Sequence, residues 1–190
     1  MSVPKILVLA GSTRAGSFNR LLASVINRLF DAKGASSTLI DLLDFPLVLV
    51  DAQVATGAMP QAVLDLHAQF SAHDGIVLVT PEYNSFPSPL LLNTLDWISR
   101  VRHYEGGMVE AFERPLFAIS AASPSPIGGY RALMALRHKL ELGLGATVMP
   151  AMAAVATAHQ AFDAQGELVS DRDRAQVGRV IDQLLWRLHR

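Results

Sequence analysis

Between Gly11 and Asn19 the chain gathers two glycines, the hydroxyls of Ser12, Thr13 and Ser17, the guanidinium of Arg14 and the amide of Asn19. The glycines let the backbone turn tightly and aim N–H groups at an anion. The hydroxyls and amide add donors, and Arg14 adds a positive charge. A helix starting at the end of this stretch contributes its N-terminal partial positive charge. A phosphate monoester dianion needs several donors and charge neutralisation, and this loop offers both. Gly11-x4-Gly16 matches half of a P-loop, but Ser17 stands where the lysine belongs, which argues against a triphosphate. A GxGxxG dinucleotide fingerprint is absent as well.

Pro81-Glu82-Tyr83-Asn84 forms a second chemistry-bearing segment. Pro81 stops a strand, and its neighbours present backbone N–H groups, a flat ring and an amide. A planar heterocycle with donors and acceptors on its edge can stack and hydrogen-bond there. A third segment, 121–129, is rich in Ser, Pro and Gly and lets backbone approach a ligand closely.

Alternating strand and helix patterns position these segments. Lys5–Ala10 (KILVLA) reads as a strand. Phe18, Leu21, Leu22, Val25, Ile26 and Leu29 then fall at helical spacing behind Ser17 as N-cap, and Gly34 ends that helix. Further strands are expected at 37–42, 75–80, 115–120 and 146–149, with a long loop at 44–56. Helices are expected at 60–73, 88–101, 130–142 and 171–189. Continuous apolar strands separated by helices indicate an α/β fold with a parallel sheet covered on both faces. Five such strands suit the doubly wound flavodoxin-like order 2-1-3-4-5, with ligands at the carboxyl ends of the strands. The loops after strands 1, 3 and 4 converge there.

The 190 residues suit one domain, with 51% hydrophobic content and a formal charge of −1. Lys and Arg are scattered, which argues against nucleic-acid binding. The absence of Cys removes disulfides, thiolate nucleophiles and iron–sulfur clusters. No apolar run reaches the roughly 20 residues of a membrane span. The location expected is the cytoplasm, with no membrane or nucleic-acid partner. His67 and His73 lack metal-ligand spacing, so no metal site is expected, and no side chain is nominated as a catalytic acid or base. Asp171-Arg-Asp-Arg174 reads as a solvated helix start, and Trp97 and Trp186 as core residues.

The segments together resemble the NADPH-dependent FMN reductase family of flavodoxin-like proteins, which includes quinone, chromate and azo-dye reductases. Gly11, Ser12, Arg14, Ser17 and Asn19 match its first motif. Pro81, Glu82, Tyr83, Asn84, Leu91, Asn93, Asp96 and Trp97 match its second, and Gly128, Gly129, Arg131, Leu136 and Arg137 a later one. The resemblance implies bound FMN, with NADPH or NADH as co-substrate and a quinone, flavin or similar acceptor. It implies a phosphate held by Ser12, Arg14, Ser17 and Asn19 with the backbone of Thr13 and Phe18. Pro81, Glu82, Tyr83 and Asn84 would contact the isoalloxazine and ribityl region, and Ala122 the far edge of the ring. A homodimer or homotetramer is implied too.

Two departures, Phe86 and Leu92, replace the family's usual serine and lysine. A second reading stays open: an electron carrier or FMN-binding sensor without turnover, in which Phe86 covers the ring. The near-zero charge argues against a carrier that meets basic partners.

Overall fold

A computed structural model describes residues 3–51, 59–101 and 110–190. Its main sheet holds five parallel strands: β1 (Lys5–Ala10), β2 (Ser36–Ile40), β3 (Gly75–Val79), β6 (Leu116–Ala122) and β7 (Thr147–Val155), in the order β2-β1-β3-β6-β7. The short strands β4 (Glu82–Tyr83) and β5 (Phe86–Pro87) form a separate hairpin, so the main sheet has the expected 2-1-3-4-5 order. The helices are α1 (Phe18–Ala32), α2 (Gln61–Ala72), α3 (Pro89–Ile98), α4 (Glu110–Glu113), α5 (Tyr130–His138) and α6 (Asp171–Leu188).

Strand pleating divides the apolar runs between two cores. Ile6, Val8, Val77, Val79, Ala118 and Ala122 face α1 and α6. Leu7, Leu9, Ile76, Leu78, Phe117 and Ile119 face α2, α3 and α5. Both faces are therefore buried, which is why these strands show no polar alternation. The edge strand β2, by contrast, carries Ser36, Ser37 and Thr38 and stays partly exposed. Its end is shorter than expected: Leu42 turns into a 3-10 segment, Leu42–Asp44, capped by the Asp41 carboxylate. Part of the anticipated 44–56 loop lies outside the described residues.

Strand β7 runs well past the expected end at Met149. Its register against β6 shifts between Phe117 and Ile119, and the irregularity falls around Pro150. Pro lacks a backbone donor, so ladder pairing breaks there. Arg137 supplies the missing donors, reaching the carbonyls of Met149 (2.7 Å), Val148 (3.3 Å) and Pro150 (3.4 Å). Gln183 Oε1 accepts from Ala151 N at 2.7 Å. The bulge is thus satisfied by side chains from α5 and α6, and the strand resumes to Val155.

Trp97 is a core residue, as expected, and its Nε1 donates to Val48 O at 2.8 Å. Trp186 is not: it is 53% exposed, and the Arg190 guanidinium lies over its ring at 3.8 Å. A helical stripe one residue wide of the sheet face turns outward, and cation–π contact satisfies it. The start of α6 is likewise mixed: Asp171 is solvated, whereas Asp173 is buried with its N–H on the Ser170 hydroxyl. His73 ends α2, its ring nitrogens against Gln69 O (2.6 Å) and Thr38 Oγ1 (3.2 Å).

A candidate flavin cleft at the carboxyl ends of β1, β3 and β6

The loop after β1 is held in place from below. Gly11 N donates to Val79 O at 2.8 Å, and Gly11 O accepts from the Ser88 hydroxyl at 2.5 Å. The same hydroxyl caps α3, accepting from Leu91 N. A Cβ on Gly11 would come within 2.8 Å of Leu91 Cβ, so only glycine allows the loop this close to α3. Gly16, at φ +68°, then turns the chain into α1.

At the top of α1 nothing competes for an anion. Ser17 occupies the N-cap position but its side chain makes no capping bond, and the first turn holds no acidic residue. Among the described residues, the hydroxyls of Ser12 and Ser17 and the Arg14 guanidinium have no hydrogen-bond or ion-pair partner. Phe18 stacks its ring on Phe162, with centroids 6.4 Å apart, leaving its backbone at the helix start.

Asn19 has a structural task. Its Nδ2 donates to Ala122 O at 2.9 Å and its Oδ1 accepts from Ala122 N at 2.8 Å. The side chain is only 3% exposed, and it replaces a strand partner at the end of β6. The first and third loops are therefore tied together by one amide.

The second loop is a two-residue hairpin. Asn84 (φ 51°) and Ser85 (φ 72°) both sit in the left-handed region between the paired residues Tyr83 and Phe86. That matches a type I′ turn, which suits the right-handed twist of the strands and favours Asn then Gly. Ser85 is therefore strained, and Ser85→Gly is expected to stabilise the protein by about 0.5–1 kcal/mol. Thermal melting of the two proteins checks this.

Glu82 lines the cleft, but its carboxylate is spent on the neighbouring helix. Its carboxylate, whose side chain is 5% exposed, pairs with Arg131 and accepts from Ala132 N at 3.2 Å. Gly129, the N-cap of α5, has no side chain to offer, so Glu82 caps that helix from the hairpin. Asn93 and Asp96 hold neighbouring segments in a similar way. Asn93 bonds Val48 O (3.0 Å) and Val50 N (3.1 Å), and Asp96 pairs with Lys139 at 2.6 Å.

These restraints converge on one cleft of about 130 Å³. Ser12, Arg14, Ser17, Phe18 and Asn19 form one wall, Pro81, Glu82 and Tyr83 a second, and Ala122 a third. Thr13 and Asn84 lie outside the lining. Thr13 turns its carbonyl to Arg20 (3.2 Å), and Asn84 forms the hairpin turn. Ser123 and Pro124 also line the cleft; both belong to the 121–129 segment, of which the family resemblance named only Ala122 as a ring contact. Phe86 stands outside the lining. The cleft pairs a charged, donor-rich end with a wall bearing an aromatic residue, which fits a flat ring carrying a phosphate tail.

Residues 4–160 match the model of the NADPH-dependent FMN reductase family. The chain is 32% identical over 183 residues to a quinone reductase of Escherichia coli, covering 94% of this chain and 86% of that protein. It is also 32% identical over 183 residues to an NAD(P)H-dependent FMN reductase of Pseudomonas aeruginosa, covering 96% and 94% of the two chains. Among solved structures, the flavoenzyme NAD(P)H:(acceptor) oxidoreductase FerB of Paracoccus denitrificans superposes with a TM-score of 0.75. It shares 26% identity and covers 97% of this chain and 98% of its own. With its sheet order, its converging loops and a family match over most of its length, the chain belongs to the NADPH-dependent FMN reductase family.

Proposed function

We propose that this FMN-dependent NAD(P)H oxidoreductase seats its cofactor in the cleft above β1, β3 and β6 and passes electrons to a quinone, a flavin or a similar flat acceptor. The observation that carries the reading is the set of unspent donors at Ser12, Arg14 and Ser17 around the start of α1. They would hold the FMN phosphate, while Pro81, Tyr83 and the backbone at Ala122–Pro124 would line the ring. Bound there, FMN would supply the redox chemistry that links NAD(P)H to the acceptor.

The protein's own residues position and shelter it. Arg14 neutralises the phosphate, and the helix N-terminus adds N–H donors. Asn19 and Ser88 fix the three loops at set separations, so the ring site is preorganised rather than folded around the ligand. Phe86, standing outside the lining, leaves the approach of a nicotinamide open, which favours the reductase over a carrier without turnover.

Arg14→Ala is expected to weaken FMN binding about 10- to 100-fold, the worth of one charge-assisted hydrogen bond. Fluorescence titration of the apoprotein checks this. Unchanged affinity would refute the phosphate assignment.

We place the activity in the cytoplasm and the chain in a homodimer or homotetramer. No helix among the described residues is long and apolar enough to cross a membrane. Tyr83 and Phe86 on the hairpin, with Ile127, Tyr130 and Met134 beside them, leave large apolar side chains exposed next to the cleft. A second copy packed on that patch would bury these side chains. Gel filtration is expected to show at least twice the 20.5 kDa of the chain. Met134→Lys should shift the elution toward the monomer.

A further inference from the structure

The third wall of the cleft is made by Ala122, Ser123 and Pro124, where β6 ends. Its backbone donors are all spent. Ala122 N donates to Asn19 Oδ1 at 2.8 Å, Ser123 N donates to Val155 O at 3.0 Å, and proline has no N–H. Ala122 can therefore offer a flat ring its surface but no donor.

One polar proton remains on that wall. Ser123 is 8% exposed, and its Oγ accepts from Ser125 N at 3.2 Å. Among the described residues, nothing accepts the hydroxyl proton. The surrounding loop is pinned. Ser123 O accepts from Ala158 N at 3.0 Å, and Ser125 O accepts from Gly128 N at 3.1 Å and Thr157 N at 3.3 Å. The incoming Ser125 N–H takes one lone pair and fixes the rotamer, so the O–H is a donor held in place before a ligand arrives. A buried donor without an acceptor is costly, and a ligand in the cleft can supply the acceptor. Ser12, Arg14 and Ser17 address the phosphate from another wall, which leaves the ring as the group that Ser123 can reach.

We propose that the Ser123 hydroxyl donates a hydrogen bond to the acceptor edge of the flavin ring, and so sets how strongly the protein favours the reduced cofactor. The inference rests on the reading of the cleft as the FMN seat. Oxidised isoalloxazine carries two carbonyls and two unprotonated ring nitrogens, and two-electron reduction places more negative charge along that edge. A fixed donor there holds the reduced ring more tightly than the oxidised one. Ser123 keeps its proton throughout, so it tunes and positions the cofactor rather than acting as an acid or base.

Ser123→Ala and Ser123→Thr are compared with the wild type by three readouts. These are the melting temperature of the apoprotein, the affinity for oxidised FMN by fluorescence titration, and the midpoint potential of bound FMN by equilibration with a reference dye. In Ser123→Ala, oxidised FMN is expected to bind about 2- to 5-fold more weakly, and reduced FMN about tenfold more weakly again. That tenfold difference lowers the two-electron midpoint by roughly 30 mV. Ser123→Thr retains the hydroxyl and is expected to keep the wild-type midpoint. An unchanged midpoint in FMN-loaded Ser123→Ala overturns the inference alone. Equal loss of both forms, with a lower apoprotein melting temperature, would make the hydroxyl only a staple for the third loop. A midpoint that falls as far in Ser123→Thr as in Ser123→Ala overturns it too. Failure of the wild type to bind FMN removes the cleft reading and this inference together.

Discussion

Asn19→Leu is expected to destabilise the protein by about 2–5 kcal/mol, because it leaves a buried N–H and a buried C=O of Ala122 without partners. Leucine keeps the branched four-atom shape and leaves no cavity, so the loss comes from the two hydrogen bonds at 2.9 and 2.8 Å together with overpacking by its bulkier methyl groups. At roughly 2–4 °C per kcal/mol for a chain of this size, the melting temperature should fall by about 4–20 °C. The functional consequence is separate and measurable. Without the amide, no side-chain hydrogen bond among the described residues ties the start of α1 to Ala122, so FMN affinity should fall even though leucine stands away from the phosphate charge. A melting temperature within a degree or two of wild type would show that Asn19 is no brace, and would return it to the role of a direct phosphate donor.

Gly128→Ala should cost a similar amount, about 2–5 kcal/mol, for a different reason. Gly128 has φ +63°, and a Cβ there would lie 2.6 Å from both the carbonyl carbon and oxygen of Ala154. The left-handed conformation alone costs an alanine about 1–2 kcal/mol, and overpacking adds about 1–3 kcal/mol. The obstacle is backbone of β7, which cannot swing aside as a side chain does. Relief must come from the third loop lifting off the sheet end, carrying Ser123 and Pro124 with it. Thermal melting reports the stability loss, and FMN titration reports the displaced wall. A fully stable Gly128→Ala protein would mean the loop has room that the close approach denies. Gly129 is constrained in parallel, at φ +86° with a Cβ 2.8 Å from Ala121 Cβ, so the Gly-Gly pair is a packing requirement.

Much of this was legible in the sequence, because the signals were local. Buried parallel strands announce themselves as unbroken apolar runs, and KILVLA and GIVLV became β1 and β3 with boundaries within a residue. The phosphate-loop residues could be picked out because a donor-rich turn between a strand and a helix has few other uses. The tertiary tasks of the motif residues were not legible. Glu82 reads as a ligand contact beside Pro81 and Tyr83, yet its carboxylate caps α5 across the chain and grips Arg131. Arg137 gives no hint that it feeds a bulge at Pro150. The hairpin at 82–87 was missed for another reason: Asn-Ser is a weaker type I′ signal than Asn-Gly, and its strands are only two residues long. Trp186 shows the limit of helical spacing, which gives a stripe but not how wide the buried part of it is.

The most direct test is the visible spectrum of the purified protein, followed by anaerobic addition of NADPH or NADH. A protein that is yellow, or becomes so on reconstitution with FMN, should bleach rapidly with at least one of the two and recover its colour when a quinone is added. A protein that takes up no FMN would contradict the cleft assignment, and one that holds FMN but stays oxidised with both nucleotides would contradict the reductase.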